Sequence, residues 1–490
     1  MLRVAMEDRG RRRRSGAPML RPRRVAVILL ALTVAGGWLR FESAGHPSRY
    51  QSVDERAYAR LAIHLVDAHS YQVPMFTDPM RWAPGAPAMF ALAQRLHPLN
   101  PEPGRLDVPS AYAAQAAVGT ALIPAVFILA ALLGGAAAGL LAAGAVTFYP
   151  PLITATSHLL TEPLGALTIT VALVAVVLAL KRPPGPGFVS AGVAAFLLGL
   201  AVLVRADLLL VPFALCALLA GVAWRRRGRG GALKVTAGAL VGLTLTMGAW
   251  SAYASAIAGR LVPVSSGGAS NLYDGTYLPG DGSMFGLKHA WAERGGELHP
   301  RLRGVEPYRI PQLRVIDAVA AERPGLDRES ALRAAALDNI RRYAVGEPSA
   351  FAGMALRKVK RLWLEYSVGT YRNRREWIEA LHVALVLVGT VGLAAGLALP
   401  RRRPAELWAP AIVLLYVTAM NAVLVSEARH NLPYVPILAA GGAAGVALAA
   451  ARLRRPRPVL EPATGGIRVR RLRPGTPAAD EPLPETKRAA

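Results

Sequence analysis

The chain has one cysteine, Cys216, among 490 residues. One cysteine permits no intramolecular disulfide, and its place inside an apolar run argues against thiol chemistry or a cysteine-based metal site. Charge is also sparse at 18%, and acidic residues are few, 31 against 57 lysines and arginines. Hydrophobic residues make up 53% of the chain and its mean hydropathy is +0.33. That composition leaves too little polar surface for a soluble protein of this length and points to a polytopic membrane protein. The net charge of +26 would suggest nucleic acid in a soluble protein. Here the basic residues cluster at the ends of apolar segments, at Arg11–Arg14, Arg21–Arg24, Arg225–Arg229, Arg401–Arg403 and Arg452–Arg457. That is the pattern of topology signals, so nucleic acid is not an expected partner and membrane lipid is.

Apolar stretches of spanning length recur at 24–40, 112–133, 136–153, 159–180, 188–204, 207–224, 232–255, 378–399, 407–425 and 432–451. The expected fold class is therefore an all-α polytopic membrane protein of about ten transmembrane helices, with outer loops that carry interfacial helices. The first run, Val25–Leu39, is followed by no clear small-x-small cleavage site and reads as an uncleaved helix. The fifth and sixth runs are separated only by Arg205-Ala206 and could be one bent element.

Orientation follows from the basic clusters. With residues 1–23 in the cytoplasm, alternation puts "KRPPGPG" (181–187), "RRRGRGG" (225–231), "RRRPAE" (401–406) and the tail 452–490 on the same side. Both termini are then cytoplasmic, in an inner (plasma) membrane. The tail is rich in Pro, Arg and Glu and is expected to be disordered. The loop 41–111, within a membrane region 24–255, and the segment 256–377 fall outside, before the last helices in 378–451. Within that segment, 327–345 and 348–366 read as amphipathic helices. "FAGMALRKVKRLWLEY" mixes Lys and Arg with Leu, Met and Trp, which suits an interfacial helix or a soluble subdomain.

The conspicuous polar residues collect on that outer side. Asp54, Glu55 and Tyr58 follow the first helix, and Arg81 opens "RWAPGAP" in the same loop. His158 and Glu162 stand in "SHLLTEPL", and Arg205 and Asp207 at the junction of the fifth and sixth runs. Glu427, Arg429 and His430 lie in "SEARHNLP". Each has an ordinary alternative: a solvated loop for Asp54-Glu55, a helix-dipole charge for Glu162, mutual pairing for Arg205 and Asp207, a polar turn for the last group. Ionisable groups at bilayer edges are costly unless paired or wet, so their convergence on one side marks a candidate site. His64, His69 and His97 lack metal-ligand spacing, and no metal or cofactor is expected, although two carboxylates near phosphate could hold a divalent ion.

In order along the chain, these motifs resemble those of a known class. "DERAYARLA" fits D-E-x-x-Y-x-x-x-A, through Asp54, Glu55, Tyr58 and Ala62. "RWAPGAPAMFAL" is similar to an R-x-x-P-x-x-P stretch, and "LLTEPL" to an acidic helix start. "PVSSGGASNLYDGTY" resembles an outer-loop segment with Asn271 and Gly275. "SEARHNLPYVP" resembles a late E-x-R-Y-x-x-P stretch, with His430 in place of Tyr. Together they resemble the GT-C membrane glycosyltransferases, nearest the protein O-mannosyltransferase and aminoarabinose-transferase group, over roughly residues 25–450. The resemblance implies a polyprenyl-phosphate sugar donor, an acceptor of unstated kind and an acidic catalytic residue in the first outer loop. Asp54 is then the candidate base, with Glu55 orienting it or binding sugar hydroxyls. Arg81, Arg205 and Arg429 are candidates for the phosphate, with Lys358 and Arg361 behind them. His158 and Glu162 would shape the sugar or acceptor pocket. A transporter or flippase, which would show inverted repeats and midplane charges, and a noncatalytic lipid-sugar-binding assembly protein are the alternatives.

Overall fold

Apolar runs of about twenty residues can satisfy their backbone hydrogen bonds in lipid only as helices. The computed structural model describes residues 21–47, 52–97 except 75, 77 and 79, 109–298, 304–366, 375–398 and 405–453, and no strand occurs among them. The basic clusters at Arg11–Arg14 and Arg401–Arg403 and the tail from 454 lie outside the described residues.

In chain order the helices are α1 (Pro22–Gly45), α2 (Val53–Asp67), α3 (Gly85–Leu96), α4 (Pro109–Gly134), α5 (Ala136–Phe148), α6 (Pro150–Thr154) and α7 (Glu162–Lys181). They continue as α8 (Phe188–Val204), α9 (Val211–Leu243), α10 (Ala249–Ala258), α11 (Gly268–Thr276), α12 (Met284–Leu298), α13 (Gln312–Ala321), α14 (Arg328–Gly346) and α15 (Pro348–Leu364). The last three are α16 (Glu376–Leu397), α17 (Trp408–Val423) and α18 (Val435–Leu453). Among the described residues, seven helices are long and apolar enough to cross a membrane, and eight spans result if the pair broken at Tyr149 is counted as one. The ten expected segments are all helical. The difference in count has two causes. Phe188–Val204 is only 17 residues long, and the sixth and seventh segments run together in one 53-residue stretch, Ala206–Ala258. That stretch turns at Gly228, whose φ of 68° is left-handed and suits glycine. Arg205 breaks the chain between α8 and the next helix, so the fifth and sixth segments are separate elements.

The two basic turns lie at the same end of the bundle. Arg226 donates to the carbonyl of Leu180 at 3.1 Å and Arg227 to that of Gly185 at 2.6 Å. The helices between them alternate in direction as the charge parity expects. A Cβ on Gly238 would strike Phe188 and one on Gly242 would strike Gly192, so α8 and the later limb of α9 run alongside in parallel.

The break at Tyr149-Pro150-Pro151 bends α5 against the following segment by 59°. It strands the last carbonyls of α5, because proline supplies no N–H to continue the ladder. Arg40 of α1, fully buried, meets that need: its guanidinium donates to Val146 O at 2.8 Å and Thr147 O at 3.4 Å. The bend directs residues 155–162 toward α2 and brings His158 to Glu55.

A single apolar core runs through α4, α5, α7, α8, α9, α17 and α18. A second core, around Trp291, Tyr273, Ile316 and Leu332, belongs to α11 to α14, so the segment 256–366 contains a helical subdomain of its own. The two amphipathic stretches of the sequence are helices there: α14 covers 327–345 and α15 covers 348–366 to within two residues at each end.

Glycines let α16 and α18 approach at backbone distance. A Cβ on Gly442 would lie 2.5 Å from the Gly389 Cα, and one on Gly392 would lie 2.5 Å from the Gly442 carbonyl. Small residues in register are a common way to gain dispersion contact between helices in lipid, where apolar burial offers none. Gly442→Val is expected to lower stability by about 1–3 kcal/mol through overpacking. Thermal unfolding of the detergent-purified chain checks this, and an unchanged melting temperature would show that the two helices separate without cost.

Candidate functional site

Helix α2 begins with a capping box. The Ser52 hydroxyl accepts from the Glu55 N–H at 3.3 Å, and Glu55 Oε1 accepts from the Ser52 N–H at 3.0 Å. This pattern fixes the first turn and aims the two adjacent carboxylates in different directions.

Glu55 points inward. It is 1% exposed, its Oε2 accepts from the Leu159 N–H at 3.2 Å, and it pairs with His158 Nδ1 at 3.2 Å. Burial pushes its carboxyl up, but the His158 hydrogen bond and charge and the Ser52 contacts hold it below its ordinary value. The expectation that Glu55 orients Asp54 or binds sugar hydroxyls does not match this placement: its oxygens are spent on the cap and on the 158–159 loop. His158 is likewise engaged with Glu55, which closes it off as a pocket wall.

Asp54 points the other way. Its side chain is 30% exposed, Oδ2 accepts from Arg429 Nη2 at 2.5 Å and Oδ1 from Trp82 Nε1 at 3.3 Å. Burial raises its carboxyl, but the Arg429 charge and hydrogen bond, the Trp82 bond and the Arg81 charge outweigh it and hold it below its ordinary value. Arg429 is itself 20% exposed, so the pair faces an opening. It is carried by the 3-10 turn Ala428–Asn431 between α17 and α18.

Other expected residues gather around this pair. Arg205 forms a two-point ion pair with Asp207, at 3.1 and 2.9 Å, and its Nη1 donates to Thr161 Oγ1 at 3.2 Å. The Tyr434 hydroxyl donates to Asp207 Oδ2 at 3.0 Å. Glu162 acts electrostatically on Tyr58, Arg205 and Arg429 together, and its buried Oε2 has no hydrogen-bond partner. Burial and the charges of Asp54 and Glu162 push the Tyr58 hydroxyl up, so it remains a neutral donor. Arg81 sits beside Asp54 electrostatically while donating to Ser270 Oγ at 3.3 Å. The outcome is three guanidinium groups, Arg81, Arg205 and Arg429, and three carboxylates, Asp54, Glu162 and Asp207, drawn from five separate stretches of chain.

His430 belongs to the cluster but not as a cation. Burial, Arg429 and Arg205 together push it down to about 3, so its imidazole is neutral at physiological pH. Its Nδ1 lies 3.2 Å from Asn421 Oδ1. Four more expected residues face elsewhere. Asn271 contributes its backbone carbonyl, which accepts from the Val425 N–H at 2.9 Å. Glu427 caps α12 through the Met284 N–H at 2.9 Å and lies toward Asp274 and Lys288. Lys358 is not near the cluster as a phosphate ligand: its buried ammonium donates to Gly275 O at 2.9 Å and Val423 O at 3.0 Å. Arg361 pairs with Asp281 at 2.8 Å.

Trp82, Thr161 and Tyr434 carry side chains of the cluster that the motifs did not single out. All three stand within quoted motifs, but only tertiary contact tells them from their neighbours. Among the described residues no group of three His, Cys, Asp or Glu has the geometry to hold a metal ion.

Because Glu55→Gln keeps the shape but removes the buried charge that His158 and the Leu159 N–H face, it is expected to cost about 1–3 kcal/mol in stability. Glu55's folded-state value is depressed, so its contribution is complete above its ordinary value near 4.5 and is lost as pH falls through the folded-state value. Melting temperatures of the two proteins should therefore differ at pH 7 and converge in acid; equal values at pH 7 would show that the pair is dispensable.

No protein-family model matches the chain, and no curated protein does. Among solved structures, the chain is similar to the oligosaccharyltransferase AglB of Archaeoglobus fulgidus in complex with an inhibitory peptide and a dolichol-phosphate, at 16% identity and a TM-score of 0.45. That superposition covers 88% of this chain and 50% of the other. The apo form of the Archaeoglobus fulgidus enzyme gives 13% identity, a TM-score of 0.47 and coverage of 88% and 51%. ArnT of Cupriavidus metallidurans bound to undecaprenyl phosphate gives 14%, 0.38, 86% and 76%. The chain thus spans about half the length of the archaeal proteins. Both neighbours are GT-C membrane glycosyltransferases, the class that the sequence motifs resemble.

Proposed function

We propose that this chain is a membrane glycosyltransferase that moves a sugar from a polyprenyl-phosphate donor to an acceptor hydroxyl or amine at the outer membrane surface. One observation carries the reading: a partly exposed carboxylate, Asp54, paired with Arg429 inside a cluster that also holds Arg205, Asp207 and Glu162. The cluster sits where helices begin and end, at residues 54, 162, 205 and 429, rather than in mid-helix, which favours a transfer site over a transport path.

The transfer needs one proton moved and one leaving group stabilised. The acceptor oxygen attacks the anomeric carbon, the bond from that carbon to the phosphate oxygen breaks, and the phosphate leaves with the electron pair. Asp54 takes the acceptor proton. Oδ1 keeps a lone pair for it beyond the Trp82 bond. Arg429 and Arg205 face the charge that develops on the phosphate. Neutral His430 and Tyr58 add hydrogen bonds but no charge.

The Asp54–Arg429 pair couples the two halves of the reaction. With no donor bound, Arg429 holds Asp54 as a poor base. A donor phosphate competes for Arg429, and as the guanidinium turns to it Asp54 loses the partner that depresses it and becomes more basic. Asp54→Asn is expected to lower turnover by about 10² to 10⁴-fold while donor binding survives. In the wild type the acid limb of kcat should then lie at higher pH than that of kcat/KM, since the first reports the donor complex and the second the free enzyme. Transfer of a radiolabelled sugar from synthetic polyprenyl phosphate, measured against pH, checks both. A purified, folded Asp54→Asn protein with wild-type turnover would end the proposal.

The orientation belongs to the same reading: the Asp54 end outside, the basic turns 181–187 and 225–229 in the cytoplasm, both termini inside, in the inner membrane. The charge parity supports it. After Cys216→Ala, single cysteines at exposed Ala68 and Val345 should react with an impermeant thiol reagent in intact cells, and one at exposed Arg182 should not. The reverse pattern would invert the molecule and remove the site from the outer face.

A further inference from the structure

Asp274 of α11 is fully buried in the outer subdomain, and the transfer chemistry does not use it. Its Oδ2 accepts from Gln312 Nε2 of α13 at 2.5 Å, and its Oδ1 has no hydrogen-bond partner. Among the described residues it forms no ion pair. A carboxylate with one donor and no water is costly to charge, so the fold favours the neutral acid. Burial pushes Asp274 up to about 7, the Gln312 bond and the Arg81 charge draw it down, and the Glu427 charge adds to the rise.

The charged groups around it come from several elements. Arg81 belongs to the first outer loop and Glu427 to the segment after α17, and Lys288 of α12 is drawn to Glu427. Lys358 of α15 spends its ammonium on the Gly275 and Val423 carbonyls. Glu329 of α14 accepts from the Ala269 N–H at the other end of α11. Tyr273, beside Asp274 on α11, feels its charge.

Arg81 links this carboxyl to the transfer site. Arg205 and Arg429 are each paired with a carboxylate, whereas Arg81 forms no ion pair among the described residues. Its hydrogen bond goes to a neutral group, Ser270 Oγ at 3.3 Å, and its guanidinium lies 5.9 Å from the centre of the Trp82 ring. Ser270 stands one helical turn before Asp274, on the same face of α11. Arg81 acts on Asp54 and on Asp274 and is committed to neither. An ionised Asp274 would attract it strongly, because charges interact strongly where water is excluded. With Asp274 neutral that pull is absent, and the guanidinium is left to Asp54 and to an incoming phosphate.

We propose that Asp274 is a proton-dependent positioning residue of the transfer site: as the neutral acid it leaves Arg81 free for the donor phosphate, and as the carboxylate it holds Arg81 away. This role rests on the glycosyl-transfer reading; the titration of Asp274 does not. Binding of polyprenyl phosphate is then strongest below the titration of Asp274 and weakens as pH rises through it. Stability has the same sign. The folded-state value lies above the ordinary 3.8, so the contribution of Asp274 is complete below 3.8 and is lost as pH rises through about 7.

The test is binding of synthetic polyprenyl phosphate to the full chain in detergent at about pH 6 and about pH 8.5, on either side of the titration, beside thermal unfolding across the same range. Asp274→Asn keeps the shape and cannot ionise. It should bind as the wild type does in acid and about tenfold more tightly than the wild type in alkali, the worth of one charge-assisted hydrogen bond. A residue that only supports the fold gives no such gain. In an Arg81→Gln background the advantage of Asp274→Asn should vanish, because the group through which it acts is gone. The melting temperature of the wild type should fall with rising pH relative to that of Asp274→Asn. If Asp274→Asn does not fold, Gln312→Leu decides the matter: it removes the bond that favours the carboxylate, so the loss of binding should move to higher pH. Equal alkaline binding by the wild type and Asp274→Asn, an advantage that survives Arg81→Gln, or an unmoved profile in Gln312→Leu would each overturn the proposal. If binding switches as described while no sugar is transferred, the switch stands and the transferase reading falls. If sugar is transferred and binding does not switch, the reverse holds.

Discussion

A cation buried among apolar helices must find an oxygen, and which oxygen it finds sorts the arginines and lysines of this protein into two kinds. Arg40 and Lys358 end on backbone carbonyls left open where helices stop, at Val146 and Thr147 and at Gly275 and Val423. They complete helix termini that proline and chain turns leave unsatisfied. Arg205 and Arg429 end on the carboxylates Asp207 and Asp54, which are partly exposed. A carbonyl contact has nothing to exchange with a ligand. A carboxylate contact can be exchanged for a phosphate, because both are anions. The same electrostatic demand therefore builds the scaffold in one place and leaves partly exposed ion pairs in another.

Lys358 shows how closely the two are joined. Its ammonium draws together α11, α15 and α17, and its carbonyl accepts from Ser426 at 3.1 Å. Asn431 donates to Leu362 and Glu365 at the end of α15. The turn that carries Arg429 is thus mounted on α15 by contacts on either side of it. Burial, then Arg361, pushes Lys358 down to about 7, so this clamp is held by a cation that sits near its own titration point at neutral pH.

The adjacent carboxylates of α2 illustrate the same division within two residues. Both sit in the first turn of a helix, where negative charge is favoured. Glu55 closes the capping box and anchors the 158–159 loop, while Asp54 meets Arg429. Their adjacency joins the fold to the candidate site: Glu55 is spent on the cap and the 158–159 loop, and Asp54 stands in the charged cluster.

The helices, their order and the shared end of the basic turns were legible in the sequence, because length, hydropathy and charge parity are local quantities. So was the set of stretches that meet in the cluster, since ionisable residues at helix ends are few and costly. The sequence could not say which way each side chain turns. A helix places successive residues about 100° apart, so Asp54 and Glu55 had to diverge, but the partner of each depended on chains more than a hundred residues away. Glu427 and Arg429, two residues apart, likewise separate, one to cap α12 and the other to face Asp54. Arg40 closes the first apolar run, 24–40, and is a buried cap only because α5 breaks beside it. Hydropathy and charge parity therefore determined the chain's passage and its polar end, whereas pairing and burial in three dimensions decided which charges remain available to a ligand.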